Sequence, residues 1–194
     1  AAEAGIERAI QGSVPIALPG ETNLNPDGTV NSKYSTTVDE VNSSIFLING
    51  GNVIPKDEGA DVWAVEHDSN SIPIYSQAKA IPYLNLYWGS TSDTGCDSAA
   101  IEVIVVTRNN ISGLIKSYRY VYDNDDCLGR RAENNFTLAD SGSFSIAGGN
   151  FKYRTPDNNL ANDISGTDVS DIVFIRVIPI YKDSKIAVLA CDHN

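Results

Sequence analysis

Any chemistry in this chain has to come from a short list of side chains. The histidines are His67 and His193, and the cysteines are Cys96, Cys127 and Cys191. A Ser-His-Asp triad would use His67, within Glu66-His67-Asp68, but no Gly-x-Ser-x-Gly elbow accompanies it, so a solvated strand-end histidine is the expected role. His193 stands next to the last residue, where chain ends fray. The cysteines have no C-x-x-C spacing, which argues against a zinc site, a thioredoxin-type centre or a Cys-His enzyme. Asp123, Asp125 and Asp126 could hold calcium, because hard cations take several carboxylate and carbonyl oxygens from one loop. That cluster lacks the EF-hand glycine and final glutamate. Asn23-x-Asn25-x-Asp27-Gly28 imitates the first half of such a loop, with Tyr34 where the bidentate glutamate belongs. Solvated turns are expected at both places. No carboxylate pair for glycoside hydrolysis stands out among 25 Asp and Glu residues. The reading is a protein that is not an enzyme and has no cofactor.

Binding is better supplied. Trp63, Tyr83, Tyr87 and Trp88 could form a sugar-stacking platform on a β-sandwich, against the ordinary role of strand aromatics in packing. Charge narrows the partners: 14 Lys and Arg against 25 Asp and Glu give −11, and no basic run exceeds Arg130-Arg131. Nucleic acid and an anionic membrane surface are disfavoured, since both are bound by clustered cations. Asn42-Ser43-Ser44, Asn110-Ile111-Ser112 and Asn135-Phe136-Thr137 are glycan acceptor sequons, of consequence only in a glycosylating host. No apolar run approaches the ~20 residues that span a bilayer.

The element that organises the rest is a hairpin closed by cysteines. Ala99 to Arg108 is β-prone, Asn109 to Gly113 supplies turn residues, and Leu114 to Tyr122 resumes the β pattern. Folding about that turn pairs residues whose numbers sum to 223, so Ile101, Val103 and Val105 face Tyr122, Tyr120 and Tyr118 on one core face. The same register sets Cys96 opposite Cys127, within reach of a disulfide. Cys191 is then free, pairs between molecules, or displaces one of the two. Disulfide usage suits an oxidising compartment.

Around that hairpin the pattern reads β. Ile45 to Ile48 and Val53-Ile54 flank Asn49-Gly50-Gly51-Asn52 as a hairpin, and Ser143 to Ile146 and Phe151 to Tyr153 flank Ala147 to Asn150 as another. Val62 to Glu66, Ile72 to Tyr75, Tyr83 to Trp88, Phe136 to Leu138, Ile172 to Ile178 and Ile186 to Ala190 are further strands, with Pro179 to Lys185 a turn. Residues 1–10 are mostly good helix formers that stop at Gly12 and Pro15, with Ala2, Ile6, Ala9 and Ile10 on one stripe. Ten residues are too few for a lone helix, so this is read as the end of a longer one. The expected class is α+β, mainly antiparallel β: a truncated helix at 1–12, a loop-rich connection at 13–43, and a single antiparallel head at 44–194.

The string Ala1-Ala2-Glu3-Ala4-Gly5-Ile6-Glu7-Arg8-Ala9-Ile10 resembles the segment after the membrane helix in type IV pilin-like proteins of the PilX type. Ile172 to Asp183 resembles the terminal sheet strands of such pilus-assembly proteins. The resemblance implies a β head carried on an N-terminal helix that is first membrane-embedded and then packed in a filament. It also implies pilin subunits as partners through that helix, membrane contact only through a helix preceding Ala1, and a late disulfide, Cys127 to Cys191. The hairpin register argues for Cys96 to Cys127 instead. The leading expectation is thus an extracellular, surface-attached pilin-like structural subunit. The alternative is a secreted carbohydrate-binding or adhesive β-sandwich module that recognises a surface glycan or host cell.

Overall fold

The computed structural model describes residues 20–23, 33–36, 43–65, 68, 73–75, 83–109, 111–124, 127, 129–156 and 170–191. Its strands are β1 (Gly20–Asn23), β2 (Lys33–Thr36), β3 (Ile45–Leu47), β4 (Ala60–Trp63), β5 (Tyr83–Trp88), β6 (Ala100–Asn109) and β7 (Ile115–Asp123). They continue as β8 (Thr137–Leu138), β9 (Asp140–Ile146), β10 (Gly149–Arg154), β11 (Ser170–Ile180) and β12 (Ile186–Cys191). The helical elements with described bounds are a 3-10 turn at Ile48–Gly51 and one α turn at Arg130–Glu133. The expected α+β class is therefore corrected to all-β. The helix stub with Ala2, Ile6, Ala9 and Ile10 lies outside the described residues, as do His67, His193, Asp125 and Asp126. No helix among the described residues is long and apolar enough to cross a membrane.

The chain divides into two compact units. In the one formed by Ala1–Asn42 and Val65–Gln77, β1 and β2 pair as an antiparallel ribbon. The other, formed by Ser43–Ala64 and Ala78–Asn194, holds two five-stranded sheets, ordered β3-β12-β5-β10-β9 and β4-β11-β6-β7-β8. All their pairings are antiparallel except β7 with β8, which run parallel over Tyr122↔Thr137 and Asp123↔Leu138.

Strand alternation explains how the sheets make one core, because successive side chains point to opposite faces. From β6, Ile101, Val103 and Val105 turn inward beside Val177 and Ile175 of β11; from β5, Leu84, Leu86 and Trp88 turn inward beside Ile186 and Val188 of β12. All belong to one buried cluster, joined by Tyr122 and Tyr153. The hairpin keeps the register that sums to 223 over eight rungs, from Ile101↔Tyr122 to Arg108↔Ile115. Cys96 and Cys127 are joined by a disulfide just behind it, with Cα atoms 4.4 Å apart.

The outer face of the first sheet is apolar as well, whereas that of the second is mixed. On the first sheet Tyr87, Phe151 and Ala187 form a small buried cluster flanked by Leu47, Phe144, Ile146 and Leu189. On the second, one row crosses the sheet as Asp61, Arg176, Ile104 and Arg119. Arg176 holds Asp61 in a bidentate pair at 2.8 and 3.2 Å, and Arg119 pairs with Glu102. Burial still pushes the Asp61 carboxyl above its usual value, with the Arg176 hydrogen bond and charge pulling it back.

Two local expectations change. Asn49 and Gly50 do take positive φ, 54° and 59°, yet the chain beyond them does not return along β3. Ile54 instead exchanges backbone hydrogen bonds with Ser184 at 2.9 and 3.0 Å, while β3 pairs with β12. Pro179 belongs to β11 rather than to a turn. The missing N–H is tolerated because β4 pairs only as far as Val177, and Pro179 still offers its carbonyl to Asp57 N–H at 2.9 Å. The β9–β10 hairpin forms as the sequence suggests, with Ala147 and Gly148 at φ 51° and 75°.

With its cysteines 31 positions apart, the disulfide should contribute about 3–4 kcal/mol in the chain-entropy account. The double variant Cys96→Ser/Cys127→Ser should lose about that much in urea unfolding while the β signature of its circular dichroism persists.

Candidate functional site

The β6–β7 hairpin has two unlike ends, one locked and one free. The lock begins with Gly129, whose φ of +83° turns the chain into the short helical turn and aims Arg130 back at the hairpin base. A guanidinium has five N–H donors. Here Nε donates to Asp123 Oδ2 at 2.8 Å and Nη2 to Asp123 Oδ1 at 2.6 Å and Ser98 Oγ at 3.2 Å, while Nη1 reaches the carbonyls of Cys96 and Ser98, both at 3.2 Å. The Tyr181 ring lies 4.3 Å from the guanidinium carbon. Asn124 Nδ2 closes the network onto Ser98 Oγ at 3.0 Å. Asp123 has no solvent exposure, and both its oxygens are committed to Arg130. That corrects its candidacy as a calcium ligand: the cation it needs is already supplied by the chain. Among the described residues no group of three or more metal-capable side chains occurs.

A second clamp secures the connection between β5 and β6. Lys182 Nζ donates to Asp93 Oδ1 at 2.8 Å and to Asp97 Oδ2 at 3.0 Å. Asp93 Oδ2 accepts the Ser90 N–H at 2.8 Å. The hydrogen bonds to Asp93 and then Asp97 raise the Lys182 ammonium above its usual 10.5.

At the other end the hairpin turn is stiff but uncovered. Asn109 Oδ1 accepts the N–H groups of Ile111 and Ser112 at 2.9 and 2.8 Å. The Asn109 carbonyl accepts from Gly113 N–H, and the Asn109 N–H donates to the Leu114 carbonyl, both at 2.8 Å. This Asx turn presents three aliphatic side chains to solvent: Ile111 is 88% exposed, Leu114 57% and Ile115 53%. They are the three most exposed large hydrophobic residues among those described, and they are neighbours.

Of the four aromatics proposed as a sugar platform, the three with described side chains, Trp63, Tyr87 and Trp88, do not converge. Trp88 is fully buried between the sheets, its indole N–H bonded to the Ala99 carbonyl at 3.0 Å. Tyr87, next in the strand, points to the opposite face and is buried against Phe144. Trp63 sits on the outer face of the other sheet, 5.4 Å from the Phe174 ring. Tyr83 pairs with Cys191 in the β5–β12 ladder, and the side chains of both lie outside the description. The segment likened to pilin terminal strands, Ile172 onward, belongs to β11, which has neighbours on both sides in its sheet. No protein family, curated protein or solved structure matches this chain, and nothing among these comparisons identifies a pilin-like protein.

Two expectations come from the clamps. Arg130→Met strands the buried Asp123 charge and should cost about 3–5 kcal/mol, with Asp123→Asn in the same chain recovering part of it, measured by urea unfolding. The Lys182 contribution is present in full below pH 10.5 and fades as pH rises through its higher folded value. Melting temperature followed against pH should therefore fall at strongly alkaline pH in wild type and fall less steeply in Lys182→Gln.

Proposed function

We propose that the chain is a non-catalytic attachment module of an oxidising, extracytoplasmic compartment, docking through the tip of the β6–β7 hairpin. The observation that carries this is the contrast between the hairpin's ends. A disulfide and a five-donor arginine fix the base, while a hydrogen-bonded turn holds Ile111, Leu114 and Ile115 in water. Exposed apolar side chains grouped on one rigid feature need little further ordering on binding and gain by losing their hydration. Fully burying one such side chain is worth roughly 1.5–3 kcal/mol. A single tip therefore gives weak attachment, and display in several copies gives strong attachment by avidity.

The disulfide supports the compartment, since such bonds persist outside reducing cytosol. The reading corresponds to the adhesive β-sandwich alternative and moves its contact surface from the strand aromatics to the hairpin tip.

Labelled protein applied to whole cells of the source organism and its neighbours tests the idea. Ile111→Asp/Leu114→Asp should retain the wild-type melting temperature, because exposed substitutions change stability by only about 0.5 kcal/mol. The same variant should lose attachment on the order of tenfold or more. Equal attachment by variant and wild type would remove the tip as the contact.

A further inference from the structure

Resting on the compartment in that reading and not on the tip, we infer that Asn135 carries an N-linked glycan. Asn135-Phe136-Thr137 is an acceptor sequon. It follows the α turn at Arg130–Glu133, and Asn135 takes φ 54°, the left-handed conformation that ends many helical turns and that asparagine adopts more readily than most residues. The backbone there is satisfied without help from the side chain. Asn135 N–H donates to the Ala132 carbonyl at 3.2 Å, and Phe136 N–H donates to the Arg131 carbonyl at 3.0 Å. The neighbouring Asn134 is engaged, its Nδ2 donating to the Arg130 carbonyl at 2.7 Å. Among the described residues nothing hydrogen-bonds the Asn135 amide or the Thr137 hydroxyl, and both residues are exposed. The sequon at the hairpin tip differs, because Ser112 Oγ accepts the Leu114 N–H at 3.3 Å. Its Asn110, like Asn42 of the first sequon, lies outside the described residues.

The reaction is glycosyl transfer from an oligosaccharide carried on a polyprenyl diphosphate. The Asn135 amide nitrogen bonds to the anomeric carbon of the first sugar, and the bond from that carbon to the diphosphate oxygen breaks. The polyprenyl diphosphate leaves with the electron pair, and the amide gives one proton to a base of the transferring enzyme. Such acceptors belong to surface loops of secreted proteins, the compartment to which the disulfide also points. The place in the fold suits a bulky group. Thr137 is level with Tyr122 at the disulfide end of β7, and Ile115 begins that strand, so at about 3.4 Å per residue the sequon stands about 24 Å from the tip. A glycan there leaves the tip open. It shields instead β8, the outermost strand of its sheet, where Leu138 is 45% exposed. Sheet edges invite pairing with other chains, and a large hydrated group beside one opposes it.

The test is mass spectrometry of peptides from the protein made by its source organism, with fragmentation that keeps sugars attached. The peptide holding Asn135 should be heavier by an oligosaccharide placed on that residue. Thr137→Ala removes the sequon while leaving the asparagine at its positive φ, and should lower occupancy on the order of tenfold or more. Thr137→Ser keeps a hydroxyl at the same place and should retain the glycan. Thr137 is exposed, so both variants should keep the wild-type melting temperature. A disulfide-bonded chain whose Asn135 peptide is bare overturns the assignment, and so does a sugar on Asn135 that persists in Thr137→Ala. If the protein is recovered from the cytoplasm with Cys96 and Cys127 as free thiols, the compartment reading falls and this inference falls with it.

Discussion

A carboxylate with no access to water is tolerable only with a cation and hydrogen bonds around it, and Asp123 sets that condition at the centre of this fold. It ends β7, beside the disulfide, so whatever satisfies it also fixes the hairpin base. Arg130 does so with a bidentate fork, and its remaining donors bind Ser98 and the Cys96 carbonyl, in the segment leading into β6. One guanidinium therefore ties three stretches of chain that the sheet ladder alone does not join. A lysine could keep the charge but not the fork, since its three donors radiate from one point.

Around that fixed point the pleat decides where everything else goes. Both faces of both sheets carry apolar side chains, so neighbouring residues in one strand enter different clusters. Trp88 and Tyr87 are the clearest case, one between the sheets and the other on the outside. Gly89 follows because the Tyr153 ring occupies the space a side chain would need, 2.5 Å from where its Cβ would stand.

The hairpin was legible in the sequence because three independent signals agreed: β-prone arms, a turn-forming centre, and cysteines at matching distances from it. The β9–β10 hairpin was legible through its arms and its turn alone. The segment around Asn49-Gly50 was not, because turn chemistry reports the bend and not the partner, and Ser184 lies far along the chain. Ile172 onward displayed its strand, but its two neighbours are set by long-range pairing that local pattern does not encode. The Asp123–Arg130 pair went unseen since its signal, an Asp at a strand end and a Gly-Arg shortly after, is common in surface loops. The apolar tip was in plain view as Ile111, Leu114 and Ile115; only the structure showed that nothing among the described residues covers them.

One further consequence concerns load. β6 lies between β11, paired with it along ten rungs, and β7, paired along eight. A pull on the tip draws β6 and β7 together along their length, so the β11–β6 ladder is sheared with its hydrogen bonds loaded together instead of opening one at a time. The cystine behind them keeps the loop from lengthening. The resistance of such a joint is governed by its unfolding rate under force and not by its equilibrium stability. A protein of modest thermodynamic stability could therefore serve as a durable mechanical tether.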